Sequence, residues 1–311
     1  MMSVRYYFTR LMLGMGLLLG LLAGCGEKEP LLPTMHAMLQ DTTYDQMRRG
    51  LVHAGMYEDL DGEFYYTLFI PTNAALAAWV AEQGYTQIEE VPADKLRILL
   101  NYHIQLSKIF ARDFRTTFVV SSALSKSSRQ MVFYIENRSG KYILNGKSTV
   151  IKTDIEAHDG VFHMIDKTLD LPTVNTLLEA NPALSTYARA INQAGLRDDL
   201  ESGTNYTVWA PSNTAWTTFF DERLDVAELS DLGPERTERI VRGLTNDQEL
   251  YYNSLKNNIS NETYKTLLDG SDLEITNQGY IVLNDSIFAL LLDIQAYNGV
   301  IHIVDKVLDF P

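Results

Sequence analysis

The chain has 311 residues, with 40 acidic against 26 basic side chains, a formal net charge of −14 and one cysteine. Its contents of 46% hydrophobic and 21% charged residues are those of a globular protein, and a chain of this length predicts about two domains of roughly 150 residues each. A single cysteine excludes an internal disulfide and a thiolate-rich zinc site. The acidic excess argues against nucleic acid as a partner, because its phosphates require a basic protein face.

The start of the chain has the pattern of a secretory signal. Arg5 and Arg10 make a positive beginning, and Leu11–Leu22 is an apolar run broken only by glycines. This run is shorter than the ~20 residues that a membrane-spanning helix needs. It has the length of the apolar core of a signal peptide, which is removed from the mature protein.

The sole cysteine follows this run directly. Residues 22–25 read Leu-Ala-Gly-Cys, which resembles the bacterial lipobox, whose cysteine becomes the first mature residue and carries fatty acids such as palmitate. We predict a lipoprotein signal peptide over residues 1–24, lipidation of Cys25 and a tether over residues 25–33. The alternatives are a plain signal peptide with an unrelated cysteine, or an uncleaved anchor.

Gly26 stands at the second mature position, where it resembles lipoproteins that are released to the outer membrane. The expected location is therefore the outer membrane of a Gram-negative bacterium, with the protein anchored by lipid. Several acyl chains give almost permanent attachment, because each buried CH₂ contributes about 0.8 kcal/mol. The side of the membrane on which the domains are displayed is left open.

The mature chain contains one unit twice. Thr67–Asn73 recurs as Thr207–Asn213, and Asp159–Lys167 recurs as Asn298–Lys306. A period near 140 residues is too long for a solenoid, so each copy is expected to be a domain with its own core. The predicted domains are residues 34–172 and 173–311, with almost no linker between them.

Each copy predicts helices first and strands afterwards. In the first copy, the expected elements are a helical stretch over Met35–Ala54, a strand over Tyr65–Ile70, helices over Ala74–Gln83 and Pro92–Tyr102, and strands over Thr117–Val120, Met131–Ile135, Tyr142–Leu144, Val150–Asp154 and Val161–Ile165. In the second copy, they are a helical stretch over Val174–Ala194, a strand over Tyr206–Ala210, a helix over Thr214–Phe220, another from Pro234, and strands over Thr263–Leu267, Leu273–Ile275, Tyr280–Leu283, Leu290–Ile294 and Val300–Val304. Helices grouped before strands, without regular βαβ alternation, indicate an α+β fold.

The two repeated boxes resemble the fasciclin-like domain. One reads Thr-x-Phe/Trp-x-Pro-Thr/Ser-Asn, and the other reads Asn/Asp-Gly-Val-x-His-x-x-Asp-Lys. Both occur in the same order in both copies. The resemblance implies two tandem domains, each a wedge-like β-sandwich edged by helices. It also implies adhesion, since members are extracellular, often lipid- or membrane-anchored, and bind matrix proteins, receptors or carbohydrate.

The resemblance also suggests candidate ligand-binding residues. Animal members have an Asp-Ile pair before the last box, which stands here as Asp154-Ile155 and Asp293-Ile294, and a Tyr-His motif, which stands here as Tyr102-His103. The same offset in the second copy gives Arg242-Gly243, so the motif is lost there. Each aspartate is either a solvated strand end or turn cap, or a binding carboxylate. Tyr-His at a helix end is more often core and cap than contact surface.

Four further residues are expected to be structural. His163 and His302 lie in the terminal strands on the same face as apolar residues, which predicts buried, hydrogen-bonded side chains that fix the strand register. Asn73 and Asn213, or the Thr72 and Ser212 before them, are expected to cap helices. A metal site of His158, His163, Asp159 and Asp166 is disfavoured, because residues five apart in a strand point to opposite faces.

Charge is unevenly distributed between and within the copies. Residues 173–311 hold 21 acidic and 9 basic side chains, whereas Lys108–Lys152 holds nine basic residues against Asp113 and Glu136. This basic surplus is interpreted first as strand edges protected against aggregation. It could also meet the acidic second domain, or dock an anionic glycan or lipid head group.

No catalytic, metal or cofactor pattern is recognisable in the sequence. We therefore expect a non-enzymatic, surface-anchored protein for cell adhesion or extracellular ligand binding, with a protein or glycan ligand, no cofactor and no nucleic acid. The alternative is an accessory lipoprotein that captures carbohydrate for an outer-membrane glycan-uptake system. That role predicts a cluster of exposed aromatic side chains.

Overall fold

A computed structural model of the chain describes residues 32–60, 64–203, 205–257 and 262–310. The predicted signal peptide, Cys25 and most of the tether lie outside these residues and stay predictions. Within the described residues, no helix combines the length and the apolar character needed to span a membrane.

The first half of the described chain forms helices and then a sheet. The helices are α1 (Met35–Met38), α2 (Asp45–His53), α3 (Asn73–Glu82) and α4 (Ala93–Tyr102), and the strands are β1 (Tyr66–Pro71), β2 (Ile104–Gln105), β3 (Thr117–Leu124), β4 (Gln130–Arg138), β5 (Lys141–Leu144), β6 (Ser148–Ala157) and β7 (Gly160–Ile165).

The second half repeats this order. Its helices are α5 (Val174–Ala180), α6 (Ser185–Gln193), α7 (Arg197–Ser202), α8 (Asn213–Asp221), α9 (Gly233–Gly243) and α10 (Tyr252–Leu255), and its strands are β8 (Tyr206–Pro211), β9 (Thr245–Asn246), β10 (Glu262–Lys265), β11 (Asp272–Asn277), β12 (Ile281–Leu283), β13 (Ile287–Gln295) and β14 (Gly299–Val304).

Each half builds one seven-stranded sheet. The order in the first sheet is β2-β1-β7-β6-β5-β4-β3, and in the second it is β10-β11-β12-β13-β14-β8-β9. All neighbouring strands are antiparallel except β1 with β7 and β8 with β14, which are parallel. The pairing aligns Phe69 with His163 and Trp209 with His302. The two boxes of the sequence repeat are therefore neighbouring strands in the centre of each sheet.

Strand β6 belongs to both parts of the first sheet and connects them. Its first residues pair with β5, through Thr149 opposite Ile143, and its later residues pair with β7. Phe69 of β1 and Phe133 of β4 come from opposite parts of the sheet, yet their rings lie edge to face at 5.1 Å. A core is thus enclosed between the two parts. The helices form a second core on the other face of β1, where Leu68 and Ile70 are buried with residues of α2, α3 and α4. This confirms the expected α+β class, with helices and one sheet in each of two tandem halves.

The predicted helical stretches at the start of each copy are wrong as single helices. In the second copy, Pro182 follows Asn181, which takes an extended conformation with ψ of 108°. A residue before proline avoids helical angles because of the proline ring, so α5 ends and a new turn begins. The predicted Met35–Ala54 divides similarly, at Asp41, whose side chain caps a short turn by accepting from the Thr43 amide.

The alternatives for helix capping are decided by the structure. The side chains of Thr72 and Ser212 accept hydrogen bonds from Ala75 and Ala215, so they are the caps of α3 and α8. Asn73 accepts from the Gln46 amide at 3.0 Å and donates to a carbonyl before α2. The asparagine therefore joins two helices instead of capping its own, and Asn213 does the same in the second domain.

The two domains touch without a linker. Val132 of β4 belongs to the buried apolar cluster of the second domain. The guanidinium carbon of Arg129 lies 3.6 Å from the ring centre of Tyr251, and the Tyr297 amide donates to the Pro172 carbonyl at 2.6 Å. Arg129, which belongs to the basic stretch Lys108–Lys152, therefore contacts the second domain through an aromatic ring.

Candidate functional site

A loop leaves the edge of each sheet after a strand of only two residues. We call residues 106–111 and 247–252 the anchored loops. In the first domain, the buried Thr67 hydroxyl donates to the Ser107 carbonyl at 2.6 Å and accepts from the Ile109 amide at 2.9 Å. A side chain from the neighbouring strand thus satisfies backbone groups that the short strand β2 leaves unpaired.

His163 also forms a hydrogen bond with the first anchored loop. Its Nδ1 accepts from the Asp154 amide at 3.3 Å, so the proton is on Nε2, which donates to the Ile109 carbonyl at 2.9 Å. The ring is fully buried and stacks on Phe69 at 5.4 Å. Burial disfavours the charged imidazolium and lowers the pKa of His163 below its usual value.

Asp154 completes the set of anchors. It has a φ of 56°, in the left-handed region, at an irregularity in the pairing of β6 with β7. Aspartate is one of the few residues that tolerate this conformation. The turn directs its carboxylate to the anchored loop, where Oδ1 accepts from the Ala111 amide at 2.8 Å.

The second domain repeats all three anchors. Thr207 donates to the Gln248 carbonyl at 2.7 Å and accepts from the Leu250 amide at 2.7 Å. His302 interacts with the Leu250 carbonyl at 2.7 Å, and Asp293, with a φ of 60°, accepts from the Tyr252 amide at 3.0 Å. Burial lowers the pKa of His302 to about 4.

These contacts limit what the site can do chemically. Both ring nitrogens of each strand histidine are bonded to backbone, and the rings are neutral. They are therefore not positioned to act as a general base or a metal ligand. Asp159 and Asp166, the other members of the disfavoured metal site, accept from the amides of Met35 and Thr149. The part of the chain that the structure describes contains no group of three or more residues suited to hold a metal ion.

Tyr102 and His103 lie apart from the aspartates. Both are fully buried, and the Tyr102 hydroxyl donates to the Val132 carbonyl at 2.9 Å. His103 accepts from the Leu169 amide at 3.0 Å, and burial lowers its pKa to about 4. Neither side chain can touch a ligand in this conformation.

Different residues occupy the position of this motif in the second domain. Phe69 bonds to the His103 carbonyl and Trp209 bonds to the Leu244 carbonyl, so Tyr102-His103 corresponds to Gly243-Leu244. The position predicted from a constant offset, Arg242-Gly243, is wrong by one residue, because the second domain has one more residue between Trp209 and the end of helix α9. The motif is absent from the second domain in either alignment.

The isoleucines of the Asp-Ile pairs belong to the interior. Ile294 is 2% exposed, and Ile155 packs against the apolar core of its domain. Asp154 and Asp293 are exposed. Of the proposed Asp-Ile pairs, the aspartates are the exposed members and Ile155 is half-buried. The aspartates also hold the anchored loops.

Sequence reasoning missed a surface groove in the first domain. It has a volume of about 520 Å³ and is lined by Phe64, Tyr65, Tyr66, Leu106, Ser107 and Lys108. Phe64, Tyr65 and Leu106 are exposed by 64%, 62% and 57%. A difference between the copies could have revealed it, because Asn205 and Asp247 stand where Tyr65 and Leu106 stand in the first copy.

Comparison with known proteins matches both halves of the chain to one family. The family model described as the Fasciclin domain matches residues 42–172 and again residues 182–311. Transforming growth factor-beta-induced protein ig-h3 of Sus scrofa is 27% identical over 253 residues, covering 80% of this chain and 35% of that protein. Protein sll1483 of Synechocystis is 32% identical over 127 residues, covering 41% of this chain and 67% of that protein.

Fasciclin-1 of Drosophila melanogaster is 27% identical, with coverage of 52% of this chain and 27% of that protein. A solved structure of a domain pair from the insect cell adhesion molecule fasciclin I is similar with a TM-score of 0.55 and 19% identity, covering 86% of this chain and 97% of that one. This structural likeness concerns the fold alone. The chain spans about a third of the length of the ig-h3 proteins that it matches.

Proposed function

This chain belongs to the fasciclin domain family, and from that premise we propose that it is a non-enzymatic protein of cell adhesion or extracellular ligand binding. It is held by lipid on Cys25 at the outer membrane of a Gram-negative bacterium. The lipobox-like residues 22–25 support the anchor. The sequence relative fasciclin-1 of Drosophila melanogaster supports adhesion, since fasciclin I is described as an insect cell adhesion molecule.

One observation carries the non-enzymatic part of this proposal. In both domains, the histidine and aspartate that chemistry could recruit are bonded to the backbone of an anchored loop. Because these side chains bond to the protein's own backbone, their role is to fix the conformation of the anchored loops. Rigid scaffolds that present shaped loops are typical of binding proteins.

The ligand contact that we propose lies on the second anchored loop and on the residues that follow the first anchored loop. Asp154 and Asp293 act as positioning residues for these loops. Next to the first anchored loop, Arg112 is 78% exposed by side chain and its guanidinium carbon lies 4.8 Å from the Phe110 ring. An exposed cation held over a half-buried ring suits an anionic protein or glycan.

The proposal is tested by cell attachment. A strain lacking the gene is complemented with the native chain, with Cys25→Ala, or with the paired reversal Arg112→Glu and Arg115→Glu. We expect attachment to be lost in the first variant, through release from the membrane, and weakened in the second. Lys141→Glu, an exposed charge reversal on β5, is the matched control. Equal attachment by all four strains would refute the adhesion proposal.

The second candidate function is carbohydrate capture for an uptake system. The observation that favours it is the groove with Phe64 and Tyr65, since exposed rings can stack on sugars. Binding of residues 26–311 to a glycan array, beside attachment by the deletion strain, separates the two. Glycan binding without an attachment defect would favour capture.

A further inference from the structure

We propose that the exposed apolar side chains beside the tether rest on the lipid bilayer to which the chain is anchored. We call this surface the tether face; its apolar side chains are Leu32, Phe64, Tyr65 and Leu106, and Lys108 lies beside them. The inference rests on the lipid anchor proposed above. It assigns an orientation on the membrane and a contact surface that anchoring alone does not require.

The tether enters the first domain beside this surface. The turn between β6 and β7 is residues 157–160, and its His158 amide donates to the Pro33 carbonyl at 2.9 Å. At the next residue, the Asp159 carbonyl accepts from the Tyr66 amide at 3.1 Å. Lys108 donates to the Ala157 carbonyl at 3.1 Å. The tether, the segment that contains Tyr66, and Lys108 are therefore all hydrogen-bonded to the same turn.

The length of the tether limits the distance to the membrane. Pro33 is the eighth residue after Cys25 in the sequence, and an extended chain spans at most about 3.5 Å per residue. Pro33 can therefore lie no more than about 28 Å from the lipidated cysteine. Among the surfaces of the first domain, the end that carries Pro33 is the one whose distance from the head groups the tether limits directly.

The side chains at this end suit a membrane interface. Leu32 is 45% exposed, and Phe64, Tyr65 and Leu106 are more exposed still. Aromatic rings are enriched at the head-group level, where an apolar body and a polar tip are both satisfied. The Lys108 amine pairs with Glu156 at 2.8 Å, so its charge is compensated next to the apolar side chains. Contact with lipid would withdraw this apolar area from water.

The second domain provides an internal comparison. Asp247 corresponds to Leu106, because Thr207 holds Gln248 as Thr67 holds Ser107. The same fold thus forms with a charged residue at this position, so the exposed leucine is not required for folding. At the equivalent turn of the second domain, the Tyr297 amide donates a hydrogen bond to the carbonyl of Pro172, the last residue of the first domain. In the first domain this bonding position is taken by Pro33 of the tether. Of the two equivalent positions, the exposed apolar one therefore lies in the domain that the tether enters.

The test places a fluorescent reporter at the two equivalent positions. The chain from Cys25 onward contains the whole compact unit Leu32–Pro311, and its sole cysteine can be coupled to a maleimide lipid in phosphatidylcholine vesicles that carry brominated acyl chains. The native tryptophans Trp79, Trp209 and Trp216 are buried, so an added exposed tryptophan is distinguishable. We expect emission from Leu106→Trp to shift to the blue and be quenched, and emission from Asp247→Trp to be unchanged.

A second variant tests the surface without a reporter. Tyr65→Asn with Leu106→Asp gives the first domain the residues of the second, which folds with them. Hydrogen exchange on coupled vesicles should show protection of residues 104–108 in the native chain and loss of this protection in the double variant. Equal quenching of both tryptophans, quenching of neither, or protection by an oligosaccharide instead of vesicles would overturn the proposal.

Failure of the anchor itself is observed separately. Mass spectrometry of the chain isolated from cells shows whether Cys25 carries acyl groups. If it does not, the proposed lipoprotein is refuted and the membrane orientation loses its basis. If Cys25 is acylated and the coupled chain shows no tryptophan quenching, the tether face alone is refuted.

Discussion

Removal of the Thr67 hydroxyl is the smallest change that tests how the first anchored loop is held. Thr67→Val keeps the side-chain shape in a position with no exposed surface, so it leaves no cavity. It removes the donor to the Ser107 carbonyl and the acceptor of the Ile109 amide. Both backbone groups belong to the first anchored loop, which should open more often.

The expected magnitude follows from these two bonds. A hydrogen bond contributes about 1 kcal/mol net, and a polar group left unsatisfied costs about 1–3 kcal/mol. The free energy of opening should therefore fall by about 2–4 kcal/mol. Since 1.4 kcal/mol is a factor of ten, exchange of the loop amides should accelerate between about 30-fold and about 1000-fold.

Hydrogen exchange measured by mass spectrometry reports both loops in one experiment. Thr67→Val should affect residues 106–111 and leave 247–252 unchanged, whereas Thr207→Val should do the reverse. Thr117→Val, an exposed change on β3, is the matched control, with an expected effect within about 0.5 kcal/mol. Unchanged exchange in Thr67→Val, or equal acceleration in both loops, would refute the anchoring role.

Three further predictions concern the second anchor set and the domain contact. Burial lowers the pKa of His302 from 6.5 to about 4, so the unfolded state takes up the proton first as the pH falls. Stability of the second domain should drop by about 3 kcal/mol between pH 6.5 and 4; urea unfolding at several pH values measures this, and an identical slope in His302→Gln would contradict it. Asp293→Val loses both left-handed tolerance and an acceptor, so in urea unfolding it should be at least about 2 kcal/mol less stable than Asp293→Asn, and equal stability would contradict the assignment. Arg129→Ala removes the guanidinium from the Tyr251 ring, which should loosen the domain pair by about 1 kcal/mol and broaden its small-angle scattering profile, whereas Arg112→Ala should not; matching profiles would count against the contact.

The sequence predicted the helices and strands whose signals are local. The strand ending at Pro71 and the helix after Thr72 follow from proline chemistry and from a capping hydroxyl, both of which act within a few residues. The prediction of one helix over Val174–Ala194 was wrong, although the reason for the break is also local. Pro182 is visible in the sequence and disfavours a helical conformation at Asn181, the residue before it.

Strands β2 and β9 could not be predicted, since each has two residues and shows no periodicity. They form because β1 and β8 offer unpaired edges to them. The left-handed Asp154 was also missed as an anchor. Its carboxylate meets the Ala111 amide, which is 43 residues away in the chain.

The duplication, the α+β class and the family resemblance were determined by the sequence alone, because repeated motifs and local backbone preferences need only neighbouring residues to be read. The parallel pairing of the two motifs, the burial of Tyr102 and His103, and the exposure of Phe64 and Leu106 were decided by the tertiary structure. Burial and hydrogen bonding depend on partners tens of residues distant. A tyrosine or a leucine therefore has the same local pattern whether it fills a core or faces a membrane.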